Sequence, residues 1–562
     1  MRLVPMASLL RHIGLVLVML AFLMPGHYLP WASFQSQWVA ALGTVILALA
    51  AARSAAQSRR GIAISPFAAL ALACAAVPPL QWAWGLLDFA SDAWLAASYW
   101  VAFSLATVCG TEWAQQRRSE WLDALFAAFM AAAGVSVALA LIQWLSVDAS
   151  QLWVAAAPPG ARPFANLGQP NHLALLLMLG VVGAIRSHLR RSLGGATTSI
   201  LLIWFGLGLV MAQSRTGWLM VVVLVLWWWA NRLRLPQLPV RSVALAVSLF
   251  VFAVLSWDSV NAALDITPLN NLEERLQAGP RTLIWQTMIG AVERSPWTGY
   301  GFNQVVRGHQ AIAAELEPVH RMLESAHNLA LDAALWAGVP FALVLALAAG
   351  AWLYVKVRNC SNLDDWSALA AIAAMLVHSM FEFPLEHAYF LLPLGLLMGS
   401  FPQAVHTLPQ RMIAWPLALP TLAMATLLFA ISGEYLQIEH ANHRLRLALS
   451  GIGNAVTADT APPDVWLLDG PREYHRLMMT PAREGMPKAE LDWMQRVTQR
   501  YAFPPAMLRY ALAAGLNGRK AEAALTLRRL CSMHPPQRCD EGRDAWQVAQ
   551  KRWAVLNGIS VP

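Results

Sequence analysis

Long apolar runs separated by short polar breaks repeat along the chain from Ile13 to near Ile431, and about thirteen are long enough to cross a hydrocarbon layer of roughly 30 Å. Their cores lie near 12–26, 37–52, 63–80, 93–113, 121–146, 171–186, 197–213, 217–231, 243–257, 328–354, 366–381, 388–402 and 413–432. One polar interval, 258–326, is much longer than the others, and loops beyond about 15 residues commonly carry structure or function of their own. Within it, after Asn271-Leu-Glu-Glu-Arg275, the apolar spacing of Leu283, Ile284 and Met288 predicts a short amphipathic helix. A glycine-punctuated turn at 296–303 and a second helix over 304–316 follow. After Ser432 charged residues are dispersed among apolar ones, which predicts a soluble, mainly helical domain over 433–562. Residues 509–518 and 519–530 read there as helix, glycine turn, helix, one unit and no repeat array.

With 57% hydrophobic and 13% charged residues, against about 25% charged in soluble domains, the chain is an integral membrane protein of all-α, polytopic class, with 1–432 as its membrane domain. Positively charged short loops stay cytoplasmic. Alternate connections hold Arg53, Arg59 and Arg60; Arg117 and Arg118; Arg186, Arg190 and Arg191; Arg232, Arg234 and Arg241; Lys356 and Arg358; and Arg411. That set, with Arg2 and Arg11, marks the inside, so an odd number of spans puts the N-terminus in the cytoplasm and the tail outside. Met24-Pro-Gly-His27 offers no small-residue cleavage site, so the first run is a retained span. The net charge of +8 is divided between loops and tail, which argues against nucleic acid as a partner. Cys74, Cys109 and Cys360 read as apolar fillers, whereas Cys531 and Cys539 share the external tail, where an oxidising compartment permits a disulfide.

The candidate chemistry gathers at outer helix ends. Arg162-Pro-Phe-Ala-Asn-Leu-Gly-Gln-Pro-Asn-His172 sets amides, a guanidinium and an imidazole where an apolar helix begins. Such groups suit a hydroxyl-rich or phosphorylated ligand at the membrane surface, the plainer alternative being a helix start with Asn171 as N-cap. Arg215, in Ala212-Gln-Ser-Arg215-Thr-Gly217, lies outside the cytoplasmic set. Its forked donors match pyrophosphate oxygens, the alternative being snorkelling to headgroups. Arg281 is a second such candidate, or part of a solvated helix face. In Glu324-Ser-Ala-His327-Asn-Leu-Ala-Leu-Asp332, His327 is placed to take a proton from an attacking alcohol, or else to cap or pack. His378 and Glu382, four apart, would share a helix face, as a structural pair or as part of a site; the neighbouring Glu386-His387 and Gln37 receive no role. No metal-ligand pair, Walker loop, dinucleotide fingerprint or nucleophile elbow occurs, so no metal or cofactor is expected and an ATP-driven machine is disfavoured.

The segment Asn166-Leu-Gly-Gln-Pro-Asn-His172-Leu-Ala closely resembles the signature of bacterial pilin-type O-oligosaccharyltransferases, the protein-glycosylating branch of the O-antigen ligase superfamily. The resemblance implies transfer of a preassembled glycan from undecaprenyl pyrophosphate to Ser or Thr of an exported, pilin-like protein, at the periplasmic face of the inner membrane. It implies His327 as base, Arg215 and Arg281 as pyrophosphate ligands, and Arg162, Asn166, Gln169, Asn171, His172, His378 and Glu382 on the substrate side. O-antigen ligation to lipid A-core and repeat-unit polymerisation share this pattern. A lipid or sugar transporter, the reading from another class, would place ionisable residues at midplane along several spans, and the predicted spans are nearly free of them.

Overall fold

The computed structural model describes residues 6–58, 63–234, 237–267, 281–402, 406–407, 415–450 and 461–560. Nearly all regular structure is helical: α1 (Met6–Ala21), α2 (Phe34–Ser58), α3 (Pro66–Cys74), α4 (Val77–Ala83), α5 (Ala90–Trp144), α6 (Pro170–Leu189), α7 (Gly195–Ala212), α8 (Arg215–Asn231) and α9 (Val240–Ala263). Then come α10 (Arg281–Arg294), α11 (Val305–Ile312), α12 (Leu329–Arg358), α13 (Leu363–Ser379), α14 (Ala388–Gly399) and α15 (Trp415–Leu449). The tail forms α16 (Asp469–Met479), α17 (Lys488–Arg500), α18 (Pro504–Leu516), α19 (Lys520–Met533) and α20 (Pro536–Arg552). Extended pairing among the described residues is limited to Ala63–Ile64 against His406–Thr407, antiparallel.

Nine helices among the described residues are long and apolar enough to cross a membrane. One of them, α5, has 55 residues and breaks at Arg117; at 1.5 Å per residue it is about 80 Å long, enough for two passes. In its most apolar window α6 is 72% buried and α9 only 6%, so α6 is an interior helix and α9 presents its sides to lipid. The interval taken to open at 258 starts later, because α9 runs on to Ala263. Trp144 holds that last stretch, its Nε1 donating to Asn261 Oδ1 at 2.8 Å and its ring lying 4.8 Å from that of Trp257. Residues 271–275, and Arg2, Arg59, Arg60 and Arg411 of the charge argument, lie outside the described residues.

The contacts divide the chain into two compact units. One comprises 1–74, 98–277 and 349–428; the other comprises 75–97, 278–348 and 429–562, so the tail groups with the long polar interval rather than standing by itself. In the first unit Arg186 is fully buried, donating to Asp123 at 2.8 Å and to Ser367 at 2.9 Å and pairing with Asp364 at 2.7 Å. Arg118 pairs with Asp365 at 2.7 Å. Two arginines counted as topological markers are thus committed to internal acids that bind α5, α6 and α13 together. Sequence spacing could not show this, because the partners are remote in the chain.

In the second unit the predicted loop helices are α10 and α11, which share a core of Ile284, Met288, Val305, Ile312, Leu323, Ala326 and Leu335. Helix α12 breaks at Ala337–Gly338, and the interval's turn is fastened into the break: Val339 N donates to Pro296 O at 2.7 Å and Tyr300 N to Leu335 O at 2.7 Å. Gly338 has φ +85, and a Cβ there would collide with the Trp297 carbonyl. The tail supplies Arg500, whose Nε donates to Asp92 at 3.0 Å, while Gln304 donates to the same carboxylate at 2.9 Å. The expected helix, glycine turn, helix is α18 and α19 around Gly518, with φ +82. Cys531 and Cys539 are disulfide-bonded, with Cα atoms 4.6 Å apart.

Removing Arg186 should be costly, because Asp364, largely buried, would lose its arginine at 2.7 Å and Asp123 would keep only Arg190 at 3.3 Å. Arg186→Ala is expected to lower unfolding free energy by about 3–5 kcal/mol, read as a fall in the thermal midpoint of the detergent-solubilised protein. Partial recovery in Arg186→Met with Asp123→Asn and Asp364→Asn would attribute the loss to the stranded charges.

Candidate active site

The loop between α5 and α6 is shaped by two amide side chains. Gln143, at the end of α5, accepts from Phe164 N at 2.9 Å and Ala165 N at 2.8 Å, and donates to the carbonyls of Ala155 and Ala165 at 2.9 and 2.7 Å. Asn166, 1% exposed, donates to the Leu23 and Trp153 carbonyls, both at 2.8 Å, and accepts from Ala155 N at 2.9 Å. Both amide protons of Asn166 are therefore used by backbone, and its geometry is that of a loop former rather than a ligand-facing group.

The helix start differs from the plain alternative. Gln169 is the N-cap residue of α6 by backbone conformation, with Pro170 in the first turn, and its side chain makes no cap bond. Instead Gln169 Nε2 donates to Glu382 Oε2 at 3.1 Å and Asn171 Nδ2 to Glu382 Oε1 at 2.7 Å. Glu382 lies three residues beyond the end of α13 at Ser379, its amide bonded to the His378 carbonyl at 2.9 Å. The His172 ring centroid lies 4.8 Å from that of His387 and 6.0 Å from that of His378, and His172 Nδ1 lies 3.3 Å from Tyr389 Oη. Burial, with repulsion from His27, lowers His387 to about 4, so its ring is neutral near pH 7. Gln169 Oε1 and His387 Nδ1 are buried with no hydrogen-bond partner among the described residues, which calls for a reason in a folded interior.

Arg215 begins α8 behind Ser214, whose Oγ caps the helix by accepting from Gly217 N at 3.0 Å. Arg162 Nη1 donates to the Gln213 carbonyl at 3.2 Å, which brings it to the turn that Arg215 follows. That turn lies against the start of α6: a Cβ on Gly217 would be 3.0 Å from Ala174 Cβ.

In the second unit Arg281 is the first residue of α10, and Trp285, one turn on, donates to the Ala326 carbonyl at 3.1 Å. This fastens the arginine's helix to the segment that carries His327. His327 is 8% exposed with φ +53. Capping of α12 is done by Asn328, whose Oδ1 accepts from Ala330 N at 3.1 Å and Leu331 N at 3.2 Å, so the histidine side chain is not needed as the cap.

Two family models match the chain, "O-Antigen ligase" over residues 200–346 and "Virulence factor membrane-bound polymerase, C-terminal" over residues 366–549. Residues 200–346 are thus similar to the O-antigen ligases. The chain is a membrane glycosyltransferase of the oligosaccharyltransferase kind. A relative named general O-oligosaccharyltransferase, from Acinetobacter baylyi, is 27% identical over 445 residues, 75% of each chain. A second from the same organism, the ComP-specific O-oligosaccharyltransferase, is 27% identical over 252 residues, 42% of this chain and 43% of the relative.

The sequence did not single out Gln143, and Gln37, His387 and Tyr389 received no role from it. Gln37 is buried, donates to Ser33 Oγ at 2.7 Å and accepts from the Tyr99 hydroxyl. The polar stretch Ser33-Phe-Gln-Ser-Gln37 before an apolar run was its available signal. If Glu382 holds the start of α6 in its active position, Glu382→Gln should cut oligosaccharide transfer about 10- to 100-fold, because an amide accepts through one oxygen where the carboxylate uses two. Initial rates at matched protein levels check this, and Glu382→Ala should be worse.

Proposed function

We propose that the enzyme transfers a preassembled oligosaccharide from undecaprenyl pyrophosphate to Ser or Thr hydroxyls of exported, pilin-like proteins at the periplasmic face of the inner membrane. The observation carrying this reading is the convergence of Gln169, Asn171, His172, Glu382, Arg162 and Arg215 on the adjoining starts of α6 and α8, in a chain whose relatives bear the name O-oligosaccharyltransferase. The disulfide in the tail supports an oxidising compartment for that end of the chain.

In this mechanism the acceptor oxygen attacks the anomeric carbon, the bond from that carbon to the pyrophosphate oxygen breaks, and undecaprenyl pyrophosphate leaves. The anomeric configuration inverts. His327 takes the acceptor proton, and Arg215 and Arg281 stabilise the charge developing on the leaving group. Arg162, Gln169, Asn171, His172 and His378 line the substrate side, with Glu382 orienting the amides and Asn166 shaping the loop. The match to the membrane-bound polymerase model makes polymerisation of glycan repeat units the second reading.

Intact-mass analysis of pilin-like proteins from cells with and without the gene tests the acceptor. A glycan-sized mass lost with the gene is expected; unchanged pilins with shortened surface polysaccharide would favour the polymerase. Arg215→Lys should lose most transfer although charge is kept, since an ammonium does not reproduce forked contacts. His327→Ala should slow transfer about 10²–10⁴-fold, measured with purified enzyme at saturating donor and acceptor. A periplasm-active reporter should be active after Ser432 and silent near Arg190; activity at both sites, or at neither, would overturn the orientation.

A further inference from the structure

We infer that Asp332 is the positioning residue of His327, acting through Ser325; this rests on the reading of His327 as the base. The Asp332 carboxylate is 2% exposed and turns back over the three residues that end in the histidine. Its Oδ1 accepts from Ala326 N at 2.7 Å and its Oδ2 from Ser325 Oγ at 2.8 Å. The same Ser325 oxygen accepts from His327 N at 3.0 Å. One carboxylate thus governs the backbone of residues 325, 326 and 327, directly or through one hydroxyl.

This clamp is more than helix capping, because Asn328 already supplies the cap of α12. Asp332 itself lies one turn inside that helix, its amide bonded to the Asn328 carbonyl at 2.9 Å. What needs the extra restraint is His327. Its φ of +53 is left-handed, a conformation that costs a non-glycine residue about 1–3 kcal/mol and persists where the surroundings over-determine it. A base must also sit within hydrogen-bond reach of the proton it removes, so an error of about 1 Å in its Cα is expensive. Bonds to an ionised carboxylate are roughly twice as strong as neutral ones, which suits Asp332 to hold the strained turn. Trp285 closes the clamp from the other side through the Ala326 carbonyl.

The test uses the full-length enzyme in nanodiscs. Asp332→Asn is nearly isosteric but sets an amide NH2 among donors, and Ser325→Ala is the milder variant should the first fold poorly. For both we expect kcat to fall, about 10- to 100-fold for Asp332→Asn, with KM for donor and acceptor within about twofold. Carbethoxylation of His327 by diethylpyrocarbonate, followed on its own peptide by mass spectrometry, should become several-fold faster. In the His327→Ala background Asp332→Asn should cause no further loss. Unchanged kcat and unchanged His327 reactivity in both variants, or losses that multiply in the double variant, would overturn the inference. Should His327→Ala prove fully active while Asp332→Asn still speeds modification of His327 in the wild-type background, the clamp stands and the base assignment fails.

Discussion

A carboxylate placed inside an apolar bundle must be matched by donors, and in the first unit two donors for Glu382 come from the start of α6. Gln169 and Asn171 each give an amide hydrogen to a different oxygen of that carboxylate. An unmatched ionised group there would cost several kcal/mol, so the start of α6 and the turn after α13 are held in one register. Everything else in that cluster follows from the fixed register. His172, one residue past Asn171, is brought against His387, His378 and Tyr389, and the buried shaft of α6 meets the first turn of α8 through Ala174 and Gly217.

The polar motif consequently divides its labour. Asn166 and Gln143 spend their hydrogen-bonding capacity on backbone and form the loop, while Gln169 and Asn171 spend only their donors, on Glu382. The same division recurs where the other proposed functional residues sit. Ser214 caps α8 beside Arg215, and Asn328 caps α12 beside His327. Capping by a neighbour relieves the arginine and the histidine of that duty, and His327, outside α12, takes a left-handed φ of +53 that the helical ladder denies to a residue within it.

The membrane-protein class and the positions of most helices were legible because burial in lipid or in a bundle demands long apolar runs, although the runs at 93–113 and 121–146 share α5 and that at 63–80 is divided between α3 and α4. The tail's helical hairpin and the short helices of the long interval were legible from glycine placement and apolar spacing. What the sequence did not disclose is partnership across distance. Arg186 looks like a loop cation until Asp123 and Asp364 are seen beside it, and Asn171 looks like a cap until Glu382 is. Gln143 carries no local signature, since it is one polar residue in an apolar stretch whose meaning depends on segments brought to it by packing.

The break in α12 shows why local rules fail where they do. A continuous helix would carry its hydrogen-bond ladder straight from Leu329 into the apolar segment, and Gly338 and Pro340 instead interrupt it. The groups at the break are not left bare: Val339 N reaches Pro296 O, Tyr300 N reaches Leu335 O, and Gln81 donates to the Trp336 carbonyl at 2.8 Å. The penalty of interruption is thereby turned into attachment, because the turn carrying Gly299 and Gly301 can be fastened to α12 only where the ladder is open. That attachment joins the core of α10 and α11 to the first turns of α12, and so ties the helix of Arg281 and the segment of His327 to one hydrophobic core.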